Sequence, residues 1–162
     1  MGSGWVQIQP IRDRIDFDGH ELVRVRDITS IVAAPRARFF ERVLALRGLE
    51  ATKVRIDLSS VAAMLDSLPD VCDLAAFHRE VIDPDVCEVG RVVSVRKKKV
   101  RVRGVDLNGE DNEPDVKLVL AHLTRVTVGG AYEEALARVR AECDEPKRRA
   151  RPSRGEARAR AR

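Results

Sequence analysis

Two stretches of this chain follow one plan roughly a hundred residues apart, and that repetition limits what the chain can fold into. The first reads VQIQPIRDRIDFDGHELVRVRDITSIV, residues 6–32, and the second VRVRGVDLNGEDNEPDVKLVLAHLTRVTV, residues 100–128. Val23, Val25, Ile28 and Ile31 fall opposite Leu118, Leu120, Leu123 and Val126 at a constant offset of 95. Thr29 falls opposite Thr124. Each stretch is followed by a helix-like segment, FERVLALRG and YEEALARVR, now at an offset of 92, so the intervening first-copy loop is three residues longer.

The alignment exposes a difference. The second copy has a strand-like segment, Cys87 to Arg96, ahead of its VRV strand, whereas the equivalent in the first copy would fall before residue 1. Either the first unit lacks a strand or the true start lies upstream. A small barrel short of one strand exposes a sheet edge. Another segment, a neighbouring subunit or further sequence has to cover it.

Val6 and Ile8 alternate with Gln7 and Gln9 as a short half-buried strand. Leu22–Arg26 reads as a second, with Val23 and Val25 inward, and Ile28–Val32 as a third. Phe39, Val43 and Leu46 share a helical face that Gly48 ends. Lys53–Leu58 alternates as a strand, Ser59 or Ser60 caps a helix running to about Ser67, and Leu74–Ile82 is strand-like before a turn at Asp83–Val86. Val89–Val95 and Lys99–Val105 flank a tight hairpin turn. Val116–Leu120 and Leu123–Val128 are strands, and Tyr132, Leu136 and Val139 form a helical stripe.

This reading divides the chain into a first, incomplete small-barrel unit with its helix (1–48), an α/β connector (49–86), a second small-barrel unit with its helix (87–145) and a basic tail (146–162) expected to be disordered. The fold class is α+β, mainly β: two small bent β-barrel-like units, each followed by a short helix, packed as one body. Strands this short, joined by tight turns, suit a bent barrel better than a wide flat sheet.

Charge is distributed unevenly. From Lys147 to Arg162 there are eight basic residues and one acidic, and the rest of the chain is slightly acidic. A uniformly basic nucleic-acid-binding domain is therefore excluded. There is no run of apolar residues long enough to span a membrane and no apolar signal-peptide core, so no membrane partner is expected and a cytoplasmic location is the default. Three cysteines at irregular spacing make neither a disulfide scaffold nor a zinc knuckle.

From Cys87 to Val128, the order of strand, hairpin, variable loop, strand, bend and short last strand resembles the Sm-like and SH3-like small barrels. The first unit resembles them in part. DPDVCEVGRVV before the barrel and YEEAL after it are also similar to bacterial proteins of unassigned function. The resemblance implies tandem small barrels with a binding role: Sm-like proteins are mostly RNA-binding rings, and SH3-like barrels mostly bind peptides. The loop residues that contact RNA in the Sm pattern have no counterpart at Ala121-His122 or Arg26-Asp27, so no nucleotide pocket carries over.

Candidate polyanion-binding residues fall in two groups. Arg96, Lys97, Lys98, Lys99, Arg101 and Arg103 place six cations in eight residues across the hairpin, and alternation turns Arg101 and Arg103 outward with Val100 and Val102 inward. The plain alternative is a solubilising turn with charged guards against edge pairing. Lys147, Arg148, Arg149, Arg151 and Arg154 open the Arg-rich tail, which would bind phosphates without sequence preference. Glu110, Asp111, Glu113 and Asp115 read as a solvated acidic loop, which could also pair with the basic tail, and Cys87 as a core position beside Val89. Trp5 is expected to plug the open edge or join the core. His20, His78 and His122 form no motif, and no spacing of Cys, His, Asp or Glu marks a metal, cofactor or catalytic site. The expected function is therefore a noncatalytic binding or adaptor protein, not an enzyme, acting through an unknown protein partner or self-association. The alternative is nucleic-acid binding, RNA more than DNA, through the Arg96–Arg103 hairpin and the tail.

Overall fold

The computed structural model describes residues 4–149. Seven strands, β1 (Trp5–Ile8), β2 (His20–Arg24), β3 (Ala75–Arg79), β4 (Asp83–Arg96), β5 (Lys99–Gly104), β6 (Val116–Val119) and β7 (Arg125–Val128), form one antiparallel sheet. Its order is β1-β2-β7-β3-β4-β5-β6. Three α-helices accompany it: α1 (Ala37–Leu46), α2 (Val61–Ser67) and α3 (Ala131–Arg149).

The sheet bends because its longest strand allows it. β4 carries a register shift between Val92 and Ser94 against β5, a bulge that sharpens local twist. Gly90 faces Gly104 across the same pair, and a Cβ on Gly90 would lie 2.1 Å from the Arg103 carbonyl oxygen. Only glycine permits that approach. The concave face gathers Leu22, Phe77, Val100, Val102, Leu118, Leu123 and Val126 into one core. Met64, Leu65 and Leu68, on α2 and the 3-10 turn after it, close this core. Ser60, one of the two caps open to the sequence reading, starts α2 by accepting from the Ala63 amide at 3.1 Å. On the convex face Leu136 of α3 packs with Leu74 and Val105.

The two repeated stretches share backbone bonding in detail. In the first, Arg12 N donates to Asp16 O, Ile15 N to Arg12 O and Asp18 N to Pro10 O; 94 residues later Asp106 N donates to Glu110 O, Gly109 N to Asp106 O and Asn112 N to Gly104 O. Both loops turn through a positive φ, at Ile15 and at Gly109. Val25 N bonds Gly4 O and Leu120 N bonds Lys98 O, each at 2.9 Å. Val25–Asp27 and Leu120–His122 then form matching 3-10 turns.

Several expectations need correction. The sheet is continuous and not closed into a barrel, so the two barrel-like units are not separately closed. The connector is not independent: its β3 sits between β7 and β4, and the boundary at residue 87 falls inside β4. Asp83–Val86 opens that strand instead of forming a turn, and Lys53–Leu58 has no regular structure. Ile28–Val32 is not a strand either, because among the described residues no other strand lies beside it. The facing of β1 and β2 is reversed. Trp5 and Leu22 are buried while Ile8 and Val25 are exposed, since an indole buries far more apolar area than Val6 or Ile8 could. Cys87 is exposed; its neighbour Val89 is the one that packs on the convex-face cluster. Helix α3 continues through Pro146 to Arg149, past the expected start of the tail; residues 150–162 lie outside the described residues. No helix among the described residues is long and apolar enough to cross a membrane.

Phe77 has no exposed surface and lies at the centre of the sheet, whereas Phe39 is 54% exposed. Phe77→Ala is expected to cost about 3–5 kcal/mol in urea unfolding, and Phe39→Ala under about 0.5 kcal/mol. Equal costs would show that the central strand is not where the structure has it.

Candidate functional site

The β4–β5 turn, the end of β2 and the 3-10 turn after β6 converge on a cleft of about 800 Å³. Trp5, Val61, Val119 and Leu120 supply apolar lining, and Arg24, Arg26, Lys97 and Lys98 are its charged residues, all cationic. The convergence has a local cause. Ala121 O accepts from Arg24 Nη1 at 2.7 Å and from Arg26 Nη2 at 3.3 Å, which ties the end of β2 to the turn after β6. Asp27 also accepts from Arg24 Nε. Leu120 N bonds Lys98 O, which brings the hairpin tip to the same turn. Lys97 holds that tip in the left-handed region at φ 47°, where a side chain is strained.

The six-cation hairpin splits into two parts. Among the described residues no ion pair reaches Arg96, Lys97, Lys98 or Lys99. Arg101 and Arg103 instead both bind Asp115, Arg101 at 2.9 Å. Hydrogen bonding to Arg103 holds the Asp115 carboxyl below its ordinary range. Asp111 in turn meets Arg91, Arg103 and Arg140. The acidic loop thus folds onto the outer face of its own sheet and neutralises part of the expected ridge. Lys147, Arg148 and Arg149 lie on the last turn of α3, and Arg151 and Arg154 lie outside the described residues.

No aromatic lies near Lys97 and Lys98 in sequence; the fold brings Trp5, Arg24 and Arg26 to the same cleft. A signal existed. The repeat sets Val25 and Arg26 opposite Leu120 and Ala121, so both copies present the same turn to the cleft.

A second surface lies on the first copy. Ile31 and Val32 are 88% and 82% exposed, although their counterparts Val126 and Thr127 are buried in β7. The following helix α1 buries Leu44 and leaves Phe39 and Leu46 outward. Its end is fixed by Arg47 Nη1, which donates to Arg14 O and Ile15 O at 2.8 Å each. Contiguous exposed apolar residues of this kind mark contact surfaces.

The interior titratable groups act as braces. Gln7 Nε2 lies 3.2 Å from His20 Nδ1 and donates also to Val54 O, which orients the amide so that His20 Nδ1 accepts. His20 Nε2 then carries the proton and donates to Thr52 Oγ1 at 3.1 Å, so it takes no proton from that hydroxyl. Arg12 bonds Glu21, which Arg125 also meets, and Arg125 bonds Glu80. Burial pushes the Cys72 thiol up to about 11, which keeps it protonated at neutral pH. Asp18 Oδ1 accepts from Ala131 N at 2.7 Å, capping α3 from the first-copy loop; that bond is the main reason its carboxyl lies below the ordinary range. Among the described residues no three His, Cys, Asp or Glu side chains gather as a metal site.

Comparison with protein-family models, curated proteins and solved structures finds no match.

Burial lowers the pKa of His20 and of His78 below 6.5, with Arg125 adding to the effect at His78. The unfolded chain therefore binds more protons just below that pH, and stability is lost as pH falls through 6.5 toward the folded-state values. Burial raises Glu133, which works in the opposite sense: its contribution favours folding as pH falls toward 4.5. Urea midpoints are expected to drop between about pH 7 and pH 5.5, and less so in the His20→Gln, His78→Gln double variant. An unchanged slope in that variant would assign the drop to other groups.

Proposed function

We propose that this chain is a noncatalytic binding protein acting through protein–protein contacts, self-association included, built from two copies of one small SH3-like or Sm-like unit, the first incomplete. The recurring loop bonds and 3-10 turns support the duplication. The strand order β7-β3-β4-β5-β6, with a 3-10 turn between the last two strands in sequence, supports the small-barrel likeness of the second unit. The observation that carries the reading is the exposed Ile31-Val32 segment, whose counterpart in the second copy is a paired, buried strand. Sedimentation velocity over a wide concentration range is expected to show reversible association. The Ile31→Asp, Val32→Asp variant is expected to stay monomeric at concentrations where the wild type associates, with an unchanged circular dichroism spectrum. A wild type that is monomeric throughout overturns the self-association form of the reading.

A second reading, polyanion binding with RNA preferred, is favoured by the placement of Lys97 and Lys98 beside Arg24 and Arg26 around one cleft. Fluorescence anisotropy with a short single-stranded RNA is expected to show salt-dependent binding. Lys97→Ser, Lys98→Ser and Lys99→Ser together are expected to reduce the log–log salt slope by about 2, at about 0.7 for each phosphate no longer neutralised. Binding that survives this change but vanishes on truncation after residue 146 assigns the interaction to the tail. No binding at low salt removes this reading.

A further inference from the structure

β7 is flanked on both sides, by β2 and by β3, while its first-copy counterpart, residues 30–33, has no strand beside it among the described residues. At the other end of the sheet, among the described residues, β6 pairs with β5 alone. β6 is the counterpart of β2 at the same 95-residue offset, and both run directly into the same 3-10 turn. Among the described residues there is therefore one paired β2–β7 contact and, with no strand beside them, residues 30–33 and the outer edge of β6, which correspond to its two sides.

From this we infer that residues 30–33 of one copy pair antiparallel with the open edge of β6 in a second copy, repeating between chains the contact that β2 and β7 make within one. The inference rests on the self-association reading above and names its register. Within the chain, His20, Glu21, Leu22 and Val23 face Val128, Thr127, Val126 and Arg125. Shifting both sides by the repeat sets Asp115 against Ala33, Val116 against Val32, Lys117 against Ile31 and Leu118 against Ser30 of the partner. The bond from Arg24 N to Thr124 O becomes one from Val119 N to Thr29 O of the second copy. That donor is available on the open edge. Leu120 N points to β5, so by strand alternation Val119 N and Lys117 N point away from it.

One substitution between the copies sets the strength. Leu22, fully buried in the internal contact, is replaced at the equivalent place by Lys117, which is exposed. An edge lysine weakens strand addition. The contact between chains is thus weaker than its internal model and depends on concentration. The pairing joins two different segments, so it closes either as a reciprocal two-fold dimer or as a ring.

The test is disulfide trapping. Val32→Cys chains are mixed with Val116→Cys chains, a non-hydrogen-bonded pair in this register where Cα atoms come closest. Wild type, with its three native cysteines, is the baseline. Expected is a disulfide-linked heterodimer that forms several-fold faster than with Val32→Cys and Val119→Cys, which are out of register, and folded spectra throughout. Lys117→Leu is expected to shift association to lower concentration. Equal trapping rates, or association by sedimentation with no trapping at Val32–Val116, overturn this register and leave self-association standing. A monomeric wild type, with no trapping, overturns both.

Discussion

The pairing of β2 with β7 is the interaction on which the rest depends. It joins residues 20–23 to residues 125–128 across most of the chain. Closing so long a loop costs chain entropy, which burial of Leu22 and Val126 in the common core offsets. Without it β1 and β2 would be an isolated two-stranded hairpin, which is marginal in water. The same pairing brings Arg24 to Ala121 and Asp18 to the first turn of α3. The cleft, the cap on α3 and the continuity of the sheet are consequences of one contact.

That contact also explains why two similar segments end so differently. β7 is used on both edges, so its apolar side chains are buried and its amides paired. Residues 30–33 carry comparable side chains and have neither neighbour, so Ile31 and Val32 face solvent. The difference lies in what stands beside each segment, not in its own composition. Charge is arranged by a similar asymmetry. The acidic excursion of the second copy lies back on Arg91, Arg101, Arg103 and Arg140, which leaves positive potential concentrated at the hairpin tip and the end of β2.

Much of the fold was legible locally. The tight hairpin at Lys97-Lys98, the cap at the start of α2, the stop at Gly48 with its φ of 64° and the presence of α3 follow from turn chemistry and periodicity within a few residues, although of the expected stripe Leu136 is buried and Tyr132 and Val139 are exposed. Facing was harder. In β1 alternation alone is symmetric, and the structure buries Trp5 while leaving Ile8 exposed. Gln7 is tolerated there because His20 and Val54 O meet its amide. The cleft was hidden for a different reason: Trp5, Arg26, Lys97 and Ala121 are remote in sequence, and the β2–β7 pairing with the bonds to Ala121 O and Lys98 O brings them together.

From its sequence alone this chain determined that two short-stranded stretches with the same plan would recur, where the Lys97-Lys98 turn, the start of α2 and the stop at Gly48 would fall, and that its cations would cluster at one hairpin. These depend on neighbours within a turn or two, and the backbone answers to them before anything packs. The tertiary structure decided that both stretches would share one open sheet, that the connector would supply its central strand and that Ile28–Val32 would stay unpaired. A strand exists only where another offers it hydrogen-bond partners, and which edges meet is chosen by the total apolar surface the whole chain can bury.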